Sequence, residues 1–328
     1  MWKRDRGSPS VRPGLQDGAQ ARGGGFPAAT KAVSEWFPVR ERSTAMGIIN
    51  AGTAVGAVVA PPAIAAVIAN LNWRWVFFLC GAVGLSWTVW WMRAYFAPAQ
   101  HPKLTAEEYE QIEEVFAATQ QEKAAVSWLS LFSFPQVWGL VCGKFLSDAA
   151  WYFYLFWLPK YLYDARGFDL KQIGAFAWVP FVAAGLGSVF GGWLAGFLIG
   201  RGWSVDKARK VIIGVSCLLM PAGIVAAYTS DAMFALAMIS VVLFGFQVWI
   251  NNVQTLPSDF FPKSAVGSVA GLGGMGAGIG SMIFTFTTGW VVDSFSYAPI
   301  LVAAGLLGPI GTVVLFLLAG KIQKISRV

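Results

Sequence analysis

Lys144, Asp148, Trp151 and Tyr152 fall within one run of nine residues and have the types and spacing to bind a carboxylated, hydroxylated ligand. Lys144 and Asp148 are four residues apart, hence on one face of a helix. The surrounding run is apolar and long enough to cross lipid, where ionisable side chains are expensive and by default mark a pathway or a site. Trp151, Tyr152 and Tyr154 follow within two turns. An ammonium pairs a carboxylate, while rings with polar tips cover a sugar face. The plainer alternative is an internal Lys–Asp pair that only packs helices together.

A second cluster, Trp249, Asn251, Asn252 and Gln254, closes a later apolar run. Three amides so close together would leave donors and acceptors unpaired if all faced lipid. They bond either between helices or to ligand hydroxyls. The expected substrate-binding set is therefore Lys144, Asp148, Trp151, Tyr152, Asn251, Asn252 and Gln254. Catalytic chemistry finds no support. A single histidine excludes a His-Glu-x-x-His zinc site, and neither a nucleophile elbow nor a Walker-type phosphate loop occurs. Glycine-rich matches such as Gly271 to Gly276 lie in an apolar run with no preceding strand. No enzyme, cofactor or metal site is expected.

The elements that must position these residues are membrane helices. Apolar residues make up 56% of the chain and charged ones 12%, with a mean hydropathy of +0.58, whereas soluble domains carry about 25% charged residues. Eight runs, 46–69, 73–96, 136–158, 173–200, 210–229, 232–256, 265–291 and 297–320, approach or exceed the ~20 residues that span hydrocarbon. They are continuously apolar rather than alternating, which argues against a β-barrel. Backbone groups in lipid must bond internally, so the runs are helices. Cys80, Cys142 and Cys217 lie inside them without metal-site or disulfide spacing.

The net charge of +7 reports orientation rather than a nucleic-acid partner. Fourteen Lys and Arg, among them Arg40, Arg42, Arg93, Lys207 and Lys210, fall on one set of alternate loops, against four (Arg74, Lys160, Arg166, Lys171) on the other. The richer side, which includes the C-terminus, is expected to be cytoplasmic.

Shifting the chain by 224 positions places Ser34, Phe37 and Pro38 on Ser258, Phe261 and Pro262, and Gly47, Gly52 and Gly56 on Gly271, Gly276 and Gly280. Parallel repeats of this kind are a transporter plan. By the same register the first half is short by roughly 90 residues, or about three spans. Residues 1–25 align with an apolar stretch of the second half but are polar, so a tail outside the fold is expected, in a truncated or wrongly started product. Between Arg93 and Pro135 a capping box, Thr105 with Glu108, opens a surface helix, and His101 is read as solvated. The expected division is a polar segment at 1–25, a remnant of an N-terminal helical bundle at 26–96, a cytoplasmic central loop at 97–134, and a six-helix bundle at 135–328.

The run FPAATKAVSEWFPVRERSTAMGIINAGTAVGAVVAPP, residues 26–62, resembles the fourth-to-fifth helix region of the anion:cation symporter family in the major facilitator superfamily, the hexuronate transporter branch most closely. GKFLSDAAWYFYLFWLPKYL, residues 143–162, supports this, and GGWLAGFLIGRGWSVDKARK, residues 191–210, is similar to the superfamily's second cytoplasmic loop motif. The resemblance implies an all-α, polytopic twelve-helix fold, here lacking roughly the first three spans, and proton-coupled uptake of sugar acids at the inner membrane. The implied partners are a small organic anion, a proton and the lipid bilayer, with the protein a monomer. Two positions depart from the pattern. Gly196 and Phe197 stand where relatives carry an acid followed by a base, which weakens an expected charge contact. Arg22 stands where relatives carry an acidic residue, the family's proton-coupling group. The alternative is an inactive, truncated membrane protein.

Overall fold

Local chemistry marks the helix ends. The computed structural model describes residues 26–96 and 128–325. The N-terminal segment, the loop with His101 and the Thr105–Glu108 box, and Arg22 lie outside them. Helix α1 is Phe26–Trp36, and α2 is Val39–Asn70 after the Phe37–Pro38 turn. Asn72 caps α3, Trp73–Ala94, accepting from the Arg74 N–H at 3.0 Å. The short α4, Trp128–Leu131, buries Leu131 in the core and leads into α5, Pro135–Arg166, which ends at Gly167 in the left-handed region at φ 69°.

Three of the expected runs are broken. The run at 173–200 begins earlier, as α6, Leu170–Phe176, with an Asp169–Gln172 capping box, and resumes as α7, Val179–Gly200, with Pro180 in its first turn. The run at 210–229 begins at the cap Ser204 and divides near Pro221 into α8, Val205–Cys217, and α9, Ala222–Tyr228. The run at 232–256 is α10, Ala232–Val253, capped by Asp231, and α11, Leu256–Phe260, follows with Pro257 in its first turn. Proline lacks the N–H that would continue the ladder, so each break falls beside one. Helices α12, Lys263–Ser294, and α13, Ala298–Ala319, complete the chain.

Among the described residues, seven spans are long and apolar enough to cross a membrane, not eight. The exception is α5: at 32 residues it is long enough, but Lys144, Asp148 and its tyrosines dilute its hydropathy. α3 buries none of its residues and turns Phe77, Val83 and Leu85 outward. Such a face is stable against lipid tails and costly against water.

α5 packs between α12 and α13, and α7 packs between α2 and α10. Helices α1 and α2 rest mainly on the C-terminal half, on α12 and α7 respectively. Glycine lets these backbones meet: a Cβ on Gly276 would lie 2.6 Å from the Val141 carbonyl oxygen, and one on Gly47 would lie 2.5 Å from that of Ser188. Three apolar cores result among the described residues, one around Trp249, Phe260 and Leu315, one around Tyr154, Tyr161 and Leu243, and a small one of Ala195, Ile212 and Val248.

Candidate functional site

In α5, Lys144 Nζ lies 2.7 Å from Asp148 Oδ2, with side chains only 12% and 10% exposed. The stem of Lys144 runs past Gly273 of α12, where a Cβ would come within 3.3 Å of Lys144 Cδ. Asp148 Oδ1 and the neighbouring Ser147 hydroxyl are buried and find no hydrogen-bond partner among the described residues. One carboxylate oxygen is therefore committed and the other is not, which is unusual for a buried charge.

The aromatic residues divide. Trp151 is half-buried, stacked on Phe246 of α10 at 5.4 Å and 13° and edge-on to Phe181 of α7. Tyr152 is also half-buried, one turn beyond Asp148 on the same face, and stacks on Phe156 at 5.9 Å. Tyr154 points elsewhere, toward Gly223, and its buried hydroxyl has no partner among the described residues.

The amide cluster holds helices together in this conformation. Asn251 donates to the Ser188 carbonyl at 2.6 Å, and Asn252 donates to those of Val248 at 2.9 Å and Gly191 at 3.4 Å. Asn50 of α2, which the sequence reading passed over, donates to Asn251 Oδ1 and, at 2.7 Å, to Gln254 Oε1. Its signal was available: a lone carboxamide inside an apolar span must find a partner. The two clusters share no hydrogen bond among the described residues. A stack of three rings, Trp151 on Phe246 on Trp249, connects them.

A third group, also missed, closes the end of the bundle that carries Arg40 and Lys207. Arg209, fully buried, pairs with Asp259 at 2.9 Å, donates to Asn252 Oδ1 at 3.1 Å, and donates to the Ser43 hydroxyl across to α2. Arg42 ties the α1–α2 turn to the Ser258 carbonyl at 3.3 Å. Neither Arg209 nor Asp259 stands among the expected site residues. Gly196 belongs to this closure. A Cβ there would lie 2.7 Å from the Arg40 carbonyl oxygen, while Phe197 lies under the Arg201 guanidinium at 4.5 Å. Close backbone contact and the Arg209 knot thus join α2 to α7 and α8 at the position where an acid was expected.

The Major Facilitator Superfamily model matches residues 18–285. The chain is 31% identical over 296 residues to the hexuronate transporter of Escherichia coli strain K12, covering 89% of this chain and 68% of that one. It is 27% identical over 311 residues to the D-galactonate transporter of Escherichia coli O6:H1, covering 92% and 72%. Its backbone matches the proton:xylose symporter XylE, solved with 6-bromo-6-deoxy-D-glucose, at a TM-score of 0.71 over 91% of this chain and 68% of that one. With 14% identity, this likeness concerns the fold alone. Apolar helices, packing and comparisons agree: the chain belongs to the Major Facilitator Superfamily, as a membrane transporter and not an enzyme.

Proposed function

We propose that the protein carries hexuronate or a related sugar acid into the cell together with a proton, as a monomer in the inner membrane with its C-terminus in the cytoplasm. The observation that carries this reading is Lys144, a nearly buried ammonium in a membrane helix whose one ion-pair partner among the described residues, Asp148, is a carboxylate that a substrate carboxylate could replace. The hexuronate and galactonate carried by relatives have such a group beside several hydroxyls. Lys144 pairs the substrate carboxylate, with Asp148 as its resting counter-ion. Trp151 and Tyr152 lie within two turns and shape an apolar wall for the ring. Asn251 and Gln254 supply bonds to hydroxyls when α2 and α10 separate, exchanging the bonds they accept from Asn50 here, and Asn252 joins them when its bonds to Gly191 and Arg209 open.

The test is uptake of labelled galacturonate and glucuronate into vesicles under an inward proton gradient, comparing the natural chain with Lys144→Ala. Gradient-driven uptake that disappears in Lys144→Ala is expected. Normal uptake by Lys144→Ala would remove the assignment of Lys144, and no uptake by either protein would favour the inactive alternative.

A further inference from the structure

We infer that Asp148 is the proton-carrying group: the substrate carboxylate displaces it from Lys144, and the freed Asp148 binds the proton that travels with the anion. The inference rests on the sugar-acid reading above and assigns its coupling step to a residue of this chain.

The geometry supplies the exchange. Asp148 has one oxygen 2.7 Å from Lys144 Nζ and the other buried with no partner among the described residues. The charges facing it are few. The packed helices α10 and α13 contain no Asp, Glu, Lys or Arg, and α12 carries them only near its ends, at Lys263 and Asp293. α6, which also packs on α5, contributes Lys171 beyond the far end of the span. On α5 itself Lys144 is the one opposite charge within a turn, and the Tyr152 phenol is the other titratable group close enough to feel the carboxylate. Once Lys144 turns to a substrate, no other cation among the described residues of these packed helices compensates an ionised Asp148. A lone buried carboxylate is expensive, and taking up a proton removes the cost.

The charge balance closes. In the resting state Lys144 and Asp148 are each ionised and sum to zero. In the loaded state the ammonium faces the substrate carboxylate and Asp148 is a neutral acid, again summing to zero. One anion and one proton have entered from the same side, and the pair crosses without net charge. On release the carboxylate leaves, Asp148 returns to Lys144, and its proton departs into the new compartment.

The test uses purified protein in detergent, with galacturonate as the probe. A pH-indicator dye in weakly buffered solution reads proton uptake, and calorimetry reads binding in parallel. The natural protein is expected to take up about one proton per bound galacturonate, by the linkage between binding and protonation. Asp148→Asn is expected to bind without proton uptake, and Asp148→Glu to retain uptake. The double variant Lys144→Gln/Asp148→Asn, which leaves no lone buried charge, reports folding and is expected to lose galacturonate binding. Proton uptake that persists in Asp148→Asn, or galacturonate binding to the natural protein with no uptake, would overturn the assignment of Asp148 while leaving the substrate reading intact. Failure of the natural protein to bind galacturonate would overturn the substrate reading and the coupling step with it.

Discussion

Truncating Asp259 to alanine strands the Arg209 guanidinium in a site where its side chain is 0% exposed and that of Asp259 is 2% exposed. The remaining partners, Ser43 and Asn252, are neutral, and Arg209 Nη2 already lacks a hydrogen-bond partner among the described residues. Breaking a buried pair by removing one charge costs about 3–5 kcal/mol, most of it the penalty of the charge left behind. At about 1.4 kcal/mol per decade, the unfolding equilibrium should rise by roughly two to four orders of magnitude. Denaturant unfolding in detergent, followed by tryptophan fluorescence, measures this. The pair also spans the closed end of the bundle, so Asp259→Ala should increase labelling of a cysteine placed at Ser43. Replacing both partners, as Arg209→Met/Asp259→Leu, should recover most of the lost stability, since apolar replacements of buried pairs are often neutral or better. A loss below about 1 kcal/mol in Asp259→Ala would refute the reasoning, for the pair would then behave as an exposed one.

Further expectations follow from glycine contacts and from the outer end of α5. Gly276→Ala should destabilise the protein by about 1–3 kcal/mol, because its Cβ would meet the Val141 carbonyl oxygen at 2.6 Å. Its repeat mate should behave oppositely: nothing lies within 4 Å of a Cβ at Gly52, so Gly52→Ala should be neutral or stabilising by up to about 1 kcal/mol through helix propensity, and thermal unfolding of the two variants compares them. Beyond the apolar part of α5, hydrogen bonds from Lys160 and then Tyr297 hold the Asp164 carboxyl below its ordinary value of 3.8. A lowered carboxyl contributes stability above its unfolded value and loses it as pH falls through the folded one. Asp164→Asn should therefore lower stability slightly in the neutral region, where the contribution is fully present, and flatten the acid side of the profile, below the usual carboxylate range, where the natural protein loses it.

The helices were legible because hydrocarbon-length apolar runs admit few alternatives, and the family because loop and glycine motifs survive together. The breaks at Ala177–Trp178 and Leu218–Pro221 were harder to place. Both lie inside apolar sequence, where hydropathy is blind and only Pro180 and Pro221 speak. The Lys144–Asp148 pair was fully readable, since partners four apart in one helix meet by geometry. Asn50 with Gln254 and Arg209 with Asp259 were not, because each joins helices distant in sequence and only packing sets their register. The glycine at 196 looked like a lost charge contact. In the fold it is a close backbone approach, which a list of residue types does not reveal.

The central claim is that Lys144 recognises the carboxylate of a sugar acid. Calorimetric titration of the natural protein and of Lys144→Gln with galacturonate, and with galactose as its neutral counterpart, tests it most directly. A charge-assisted bond contributes about 1.5–3 kcal/mol, so the natural protein should prefer galacturonate by roughly 10- to 150-fold, and Lys144→Gln should lose that preference. Equal affinity for the two sugars in the natural protein, or a preference that survives Lys144→Gln, would contradict the account.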